Sequence, residues 1–361
     1  MPWMRWDVFC RVIDNLGDAG VCWRLAADLA SRGEQVRVII DDITPLQRMA
    51  PHGAIGVTVL PWHDDVALEP GTDVTIEAFG CDPPARYAAQ MARADQPPCW
   101  INLEYLSAEP AAVRSHGLPS PQLAGPGRGL TKWFYFPGFA DDSGGLVREP
   151  QVPTQRQAFA RDGWLPTIGQ QRRPTERVVV LFSYAHPGIA AWLRALAATP
   201  TLLLVPQGPA QSAVRQALGP TLTHAALRAE LLDWLPQTQF DRLLWCADLS
   251  VVRGEDSVVR ALWAGAPFVW QLYPQHDGAQ QPKLQAFLSH WRAASAIAPP
   301  NGVDALMAWW NDAPDAGADV AAPPPLPAWA PWHQAVGAWR EQLARQSDLT
   351  TRLIRFVAAK R

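Results

Sequence analysis

The strongest constraint on this fold is a strand–turn–helix–strand run at the start of the chain. Residues 6–13 (Trp-Asp-Val-Phe-Cys-Arg-Val-Ile) read as a strand, and Asp14-Asn-Leu-Gly-Asp-Ala-Gly20 as a glycine-containing turn. Residues 21–31 carry apolar side chains at Val21, Leu25 and Leu29 and stop at Gly33, which predicts a helix. Residues 35–40 (Gln-Val-Arg-Val-Ile-Ile) predict the next strand. Such a βαβ unit is right-handed with parallel strands. Further strands are expected at 57–60, 74–79, 99–103 and 132–136, with a helix at 87–93. Strands that alternate with helices give a parallel α/β sheet.

A second alternation follows. Strands are expected at 177–183, 201–205, 249–252 and 267–271. Helices are expected at 189–198, 210–218, 240–246, 258–265 and 283–291. Residues 323–327 (Pro-Pro-Pro-Leu-Pro) read as a rigid linker, and 339–360 as a helical tail broken near Ser347-Asp348. A chain of 361 residues is long for one core. The boundary is placed near Arg173-Pro174: residues 1–174 with the tail 346–361 form one domain, and 175–345 the other. The expected class is α/β, two Rossmann-like halves facing across a cleft.

Composition excludes several functions. The net charge of −3 gives no support to nucleic acid or an anionic membrane as partner. No apolar run approaches the length of a membrane span, and the first residues lack the apolar stretch of a signal peptide. Cys10, Cys22, Cys81, Cys99 and Cys246 form no Cys-x-x-Cys pair, which points to a reduced cytoplasmic chain and away from metal binding. The 18 tryptophans are scattered, as core and groove residues are, and do not mark a repeat.

The turns carry the chemistry. Arg253-Gly254-Glu255-Asp256-Ser257 joins an apolar strand to a helix that stops at Gly265. The unpaired N–H groups of a helix start, with the dipole behind them, attract phosphate. Arg253 adds forked donors and Ser257 a hydroxyl. Asp256 and Ser257 are also favoured caps, and the turn alone does not separate the two roles. The first turn has no full Gly-x-Gly-x-x-Gly pattern and carries Asp14 and Asp18 instead. Those carboxylates would repel a diphosphate and suit a cation or a proton, though they also fit turn chemistry. Phe182 and Tyr184 close a strand and can stack a base, as core aromatics also would. Trp234 and Gln237 form an aromatic–amide pair before a short helix. Tyr273 to Asp277 reads either as a wall of the site or as a polar loop, and His276 is not assigned as a base. The chain has no Asp-x-Asp, Walker, Gly-x-Ser-x-Gly or His-Glu-x-x-His pattern.

Taken together, these residues resemble the protein-arginine rhamnosyltransferases that modify elongation factor P. The resemblance runs the length of the chain. It is carried most strongly by Phe9-Cys-Arg-Val-Ile-Asp-Asn-Leu-Gly-Asp-Ala-Gly-Val-Cys-Trp-Arg-Leu25, Phe240-Asp-Arg-Leu-Leu-Trp245, Arg253 to Ser257, and Ala264-Gly-Ala-Pro-Phe-Val-Trp-Gln271. It implies a GT-B fold and metal-independent, inverting transfer of L-rhamnose from dTDP-β-L-rhamnose to one arginine of elongation factor P. That modification would activate the factor for translation of polyproline stretches. No cofactor beyond the donor substrate is implied.

By the same resemblance Asp18 is the general base, with Asp14 beside it at the acceptor arginine. Asn15, Leu16 and Gly17 border the sugar. Phe182, Tyr184, Trp234 and Gln237 hold the thymidine. Arg253, Gly254, Glu255, Asp256 and Ser257 hold the diphosphate and sugar, with Glu255 also implied in catalysis. Leu16 and Trp234 stand where phenylalanine is usual, and Ala185-His186 where Glu-Asn is common. Two other readings stay open on the residues alone: a GT-B enzyme with a different acceptor, and a non-catalytic binder of elongation factor P or of a nucleotide. Donor turnover separates them, since a binder consumes no donor.

Overall fold

Two twisted sheets, each covered by helices, organise the chain in a computed structural model that describes residues 3–14, 16–274, 278–312 and 321–361. The first sheet contains β1 (Arg5–Cys10), β2 (Gln35–Ile40), β3 (Val57–Pro61), β4 (Val74–Ala78), β5 (Cys99–Leu103), β6 (Pro119–Pro121) and β7 (Thr131–Tyr135). Its order is β3-β2-β1-β4-β5-β7-β6, parallel except where β6 pairs with β7. The second contains β8 (Arg177–Leu181), β9 (Thr201–Val205), β10 (Thr223–His224), β11 (Leu227–Leu231), β12 (Leu249–Arg253) and β13 (Phe268–Gln271). Its order is β10-β11-β9-β8-β12-β13, parallel except for the β10–β11 pair.

In both sheets the first strand lies in the middle. From β1 the chain winds outward through β2 and β3, then returns to the other side with β4. From β8 it winds through β9 and β11, then returns with β12. Each reversal is a topological switch point, where loops at the strand C-termini part and leave room for a ligand.

The two compact units are Met1–Glu149 with Ala344–Arg361, and Pro150–Leu343. The expected boundary near Arg173-Pro174 therefore moves. Residues 150–174 belong with the second unit, because Arg161 pairs with Asp248 at 2.9 Å and Trp164 donates its indole N–H to Gln239 at 3.0 Å. The proline-rich stretch 323–327 lies inside the second unit and joins no two domains.

The tail breaks where expected, into helices Trp329–Arg345 and Leu349–Lys360. Asp348 caps the second, accepting the N–H of Thr351 at 2.8 Å. Leu349, Leu353 and Val357 of that helix sit in the same core as Val8, Leu25, Val38 and Ile76. Arg352 clamps it, donating to the carbonyls of Asp141 at 2.6 Å and Ser143 at 2.8 Å. Most of the tryptophans of the second unit are core residues. Trp291 stacks on Trp339 at 5.0 Å, and Trp192, Trp270, Trp310 and Trp332 are also fully buried. Among the described residues no helix is long and apolar enough to cross a membrane.

Candidate active site

The acidic turn follows β1, at the switch point of the first sheet. The strand ends at Cys10, and the helix begins at Gly17, one turn before the expected start at 21. Asp18 thus lies in the first helical turn and not in a loop. Its carboxylate reaches back to accept the main-chain N–H groups of Ile13 at 2.8 Å and Asp14 at 2.9 Å. Asp14 in turn accepts the N–H of Gly17 on its carbonyl at 2.6 Å. A methyl group on Gly17 would meet the Asp14 carboxylate oxygen at 2.5 Å, so only glycine lets that carboxylate lie over the helix start.

Asp18 is 2% exposed. Burial pushes its carboxyl above the ordinary value of 3.8; the two backbone N–H bonds oppose that, and the charges of Asp14 and Asp41 add to it. The result is a carboxylate with a raised affinity for a proton, held rigidly beside a second carboxylate. Leu16 is half-buried and packs on the first core. Asn15 lies outside the described residues.

The turn Arg253 to Ser257, expected to take an anion, lies at the switch point of the second sheet, where β8 and β12 are neighbours. Phe182 follows β8 and donates its N–H to Val251 at 2.8 Å. Arg253, the last residue of β12, is buried, and its guanidinium lies 4.8 Å from the Phe182 ring centre and 4.7 Å from that of Tyr184. The two aromatics expected to hold a base thus also hold the arginine, through cation–π contact. Phe182 leans edge-on against Phe240 at 5.0 Å, and Tyr184 against Tyr273 at 5.5 Å. The Tyr184 N–H donates to the side chain of Gln271 at 2.8 Å. Residues 275–277 of the expected wall, His276 among them, lie outside the described residues.

Arg253 is extended, and Gly254 opens the helix Gly254–Ala264 with φ of +71°, a conformation that a side chain strains. Glu255 and Asp256 occupy its first turn, followed by buried Ser257. Glu255 pairs with Lys283 at 2.6 Å. Gln237, expected in a loop, is the first residue of the helix Gln237–Cys246 and donates to Asp256 across a long 3.4 Å. The two helices are braced by a buried pair, in which Arg260 donates to both carboxylate oxygens of Asp241 at 3.0 and 2.7 Å. Trp234 is 38% exposed and lies just before the Gln237 helix. Among the described residues no three His, Cys, Asp or Glu side chains group as metal ligands do.

The two turns differ in character: one holds a buried carboxylate, the other an arginine at a helix start. The EarP family, described as Elongation-Factor P (EF-P) rhamnosyltransferase, matches residues 6–358. The chain belongs to that family. It is 40% identical to the protein-arginine rhamnosyltransferase of Pseudomonas putida, over 97% of this chain and 98% of that one. It is 38% identical to the one of Pseudomonas aeruginosa, over 98% of each. A solved structure described as the basis for EarP-mediated arginine glycosylation of translation elongation factor EF-P superposes with a TM-score of 0.64, at 30% identity and 99% coverage of both chains. Spinosyn rhamnosyltransferase SpnG shares the fold alone, at 14% identity, 99% coverage of this chain, full coverage of its own and a TM-score of 0.51. The chain is a glycosyltransferase of GT-B fold.

The structure shows what His186, one of the two departures at Ala185-His186, does in this chain. His186 is buried and structural: Nε2 donates to the carbonyl of Trp309 at 3.0 Å, and Nδ1 accepts the N–H of Gly188 at 3.1 Å. Burial lowers its pKa. Sequence reasoning missed Lys283, which stands 28 residues after its partner Glu255. It also missed the Asp241–Arg260 brace. Only folding brings these pairs together, and no local pattern announces them.

Proposed function

We propose that this chain transfers L-rhamnose from dTDP-β-L-rhamnose to the side chain of one arginine of elongation factor P, with inversion and without a metal ion. The observation that carries this reading is the buried Asp18 carboxylate, fixed by two N–H donors beside Asp14 at the first switch point. A guanidinium is protonated at working pH and is then a poor nucleophile. Asp14 attracts and orients it. A guanidinium nitrogen attacks the anomeric carbon, that carbon's bond to the diphosphate oxygen breaks, and Asp18 takes the N–H proton as the new C–N bond forms. One in-line displacement inverts the centre and needs no enzyme nucleophile. The leaving dTDP gains negative charge, which Arg253 and the N–H groups at the start of the helix Gly254–Ala264 receive. Phe182, Tyr184, Trp234 and Gln237 hold the thymidine; Leu16 and Gly17 border the sugar, with Asn15 beside them in sequence. Gly254, Asp256 and Ser257 line the diphosphate turn. The modified factor then serves translation of polyproline stretches in the cytoplasm.

The reading is tested by following dTDP release from dTDP-β-L-rhamnose in EDTA, with elongation factor P and with a variant whose target arginine is lysine. Release that needs both donor and arginine supports it. Release that is indifferent to elongation factor P points to another acceptor, and no release with donor bound points to a binder.

A further inference from the structure

Glu255 poses an electrostatic problem. It occupies the first turn of the helix whose start is proposed to receive a diphosphate, with a second carboxylate, Asp256, next to it. Two carboxylates there suit a free helix N-terminus but repel a bound dianion. Lys283, from the helix Gln280–Ala294, meets Glu255 at 2.6 Å. Both side chains are largely covered, at 21% and 17% exposure, so their charges are poorly screened. We infer that Lys283 is a positioning residue for the donor: it neutralises Glu255 and fixes its carboxylate, which makes the anion turn tolerant of a nucleoside diphosphate. Lys283 acts through Glu255 and is not placed on the reacting atoms.

This inference rests on the proposed donor reading. It also explains why an acidic residue can stand in a phosphate turn. With Lys283 present, the Arg253–Glu255–Lys283 group carries a net positive charge, two cations against one carboxylate. Without Lys283 that group is neutral; with Asp256 counted as well, the turn is neutral when Lys283 is present and carries one net negative charge when it is not. A diphosphate senses that change more than an uncharged sugar or the acceptor does.

The test compares the full chain with Lys283→Met, Lys283→Arg, Glu255→Gln and the double variant Lys283→Met/Glu255→Gln. Affinity for dTDP is read by calorimetry, and donor KM and kcat by dTDP release. Lys283→Met is expected to weaken dTDP and raise donor KM by about tenfold, near the effect of one charge-assisted contact. Lys283→Arg is expected to restore donor KM to within about threefold of the parent. The double variant is expected to bind dTDP better than Lys283→Met, because the repelling charge is gone, even though its turnover is low. An unchanged donor KM in Lys283→Met overturns the inference, as does a double variant that binds dTDP no better than the single one. If Lys283→Met melts early, Lys283→Arg and Glu255→Gln still decide it: a fully folded Lys283→Arg with unrestored KM, or a Glu255→Gln that loses dTDP affinity, contradicts charge neutralisation. Failure of the parent protein to bind dTDP would overturn the donor reading itself, and the inference with it.

Discussion

Asp18 accepts the main-chain N–H of Asp14 at 2.9 Å, so the side chain of one acidic residue fixes the backbone of the other. The pair is therefore a preformed unit, and each member answers differently to substitution. Asp18→Asn keeps an oxygen for both N–H groups but cannot accept a proton. It should lower turnover by at least about a hundredfold, the usual scale for a lost general base, with dTDP affinity unchanged. Near-normal turnover would remove Asp18 from the role of base.

The same burial sets a pH dependence. The Asp18 carboxyl is raised in the folded chain, so its contribution to stability is present below 3.8 and is lost as pH rises through the folded value. At neutral pH the ionised group costs stability, and Asp18→Asn should melt at the same temperature as the parent or higher. The acidic limb of kcat/KM should lie above 3.8, because the base must be ionised to work. A limb at or below that value would contradict the burial.

Arg253 lies over two aromatic rings, which makes shape matter as well as charge. Arg253→Ala should weaken dTDP by about ten- to a hundredfold, the range of a charge-assisted contact. Arg253→Lys should recover little of it, since an ammonium lacks the planar fork that stacks on Phe182 and Tyr184. Calorimetry with dTDP reads both. Full recovery by lysine would leave only the charge.

The brace behind that turn has a structural cost. Asp241→Ala leaves the buried Arg260 guanidinium without its bidentate partner, and should destabilise the chain by about 3–5 kcal/mol. Urea unfolding followed by tryptophan fluorescence measures it. A loss under about 1 kcal/mol would mean that water or a neighbour replaces the carboxylate.

His116 reports on the first unit. Its Nδ1 accepts the N–H of Phe136 at 3.1 Å, and its pKa is pushed down to about 4 by burial, with the charge of Arg352 adding and Asp142 opposing. A depressed histidine contributes stability above 6.5 that is lost as pH falls through its folded value. His116→Asn keeps an acceptor without the titration, and should flatten the fall in urea midpoint between neutral pH and pH 4. An unchanged slope would assign that fall to other groups.

Much of this was legible in the sequence, for local reasons. The alternation of apolar strands with periodic helices marked both sheets, and Ser347-Asp348 marked the break in the tail through its capping chemistry. Asp14, Asp18 and Arg253 stood out because βα turns carry their signal within a few residues. Strand order is not local, so the switch points that place those turns could not be read. Nor could the strand Leu227–Leu231, whose Arg228 and Glu230 interrupt an apolar run. The helix starts at Gly17 and Gln237 were set too late, since their first turns hold the polar residues that also make loops. Residues 150–174 precede the expected boundary near Arg173-Pro174, yet Arg161 and Trp164 fasten them to the second unit through partners 75 to 87 residues away, which no local pattern announces.

The most direct measurement is the intact mass of elongation factor P after incubation with this protein and dTDP-β-L-rhamnose, beside an Asp18→Asn control. Arginine rhamnosylation by an Asp18 base predicts a gain of one deoxyhexose, located on a single arginine and absent from the control. No gain with dTDP still bound, or an equal gain in the control, would contradict it.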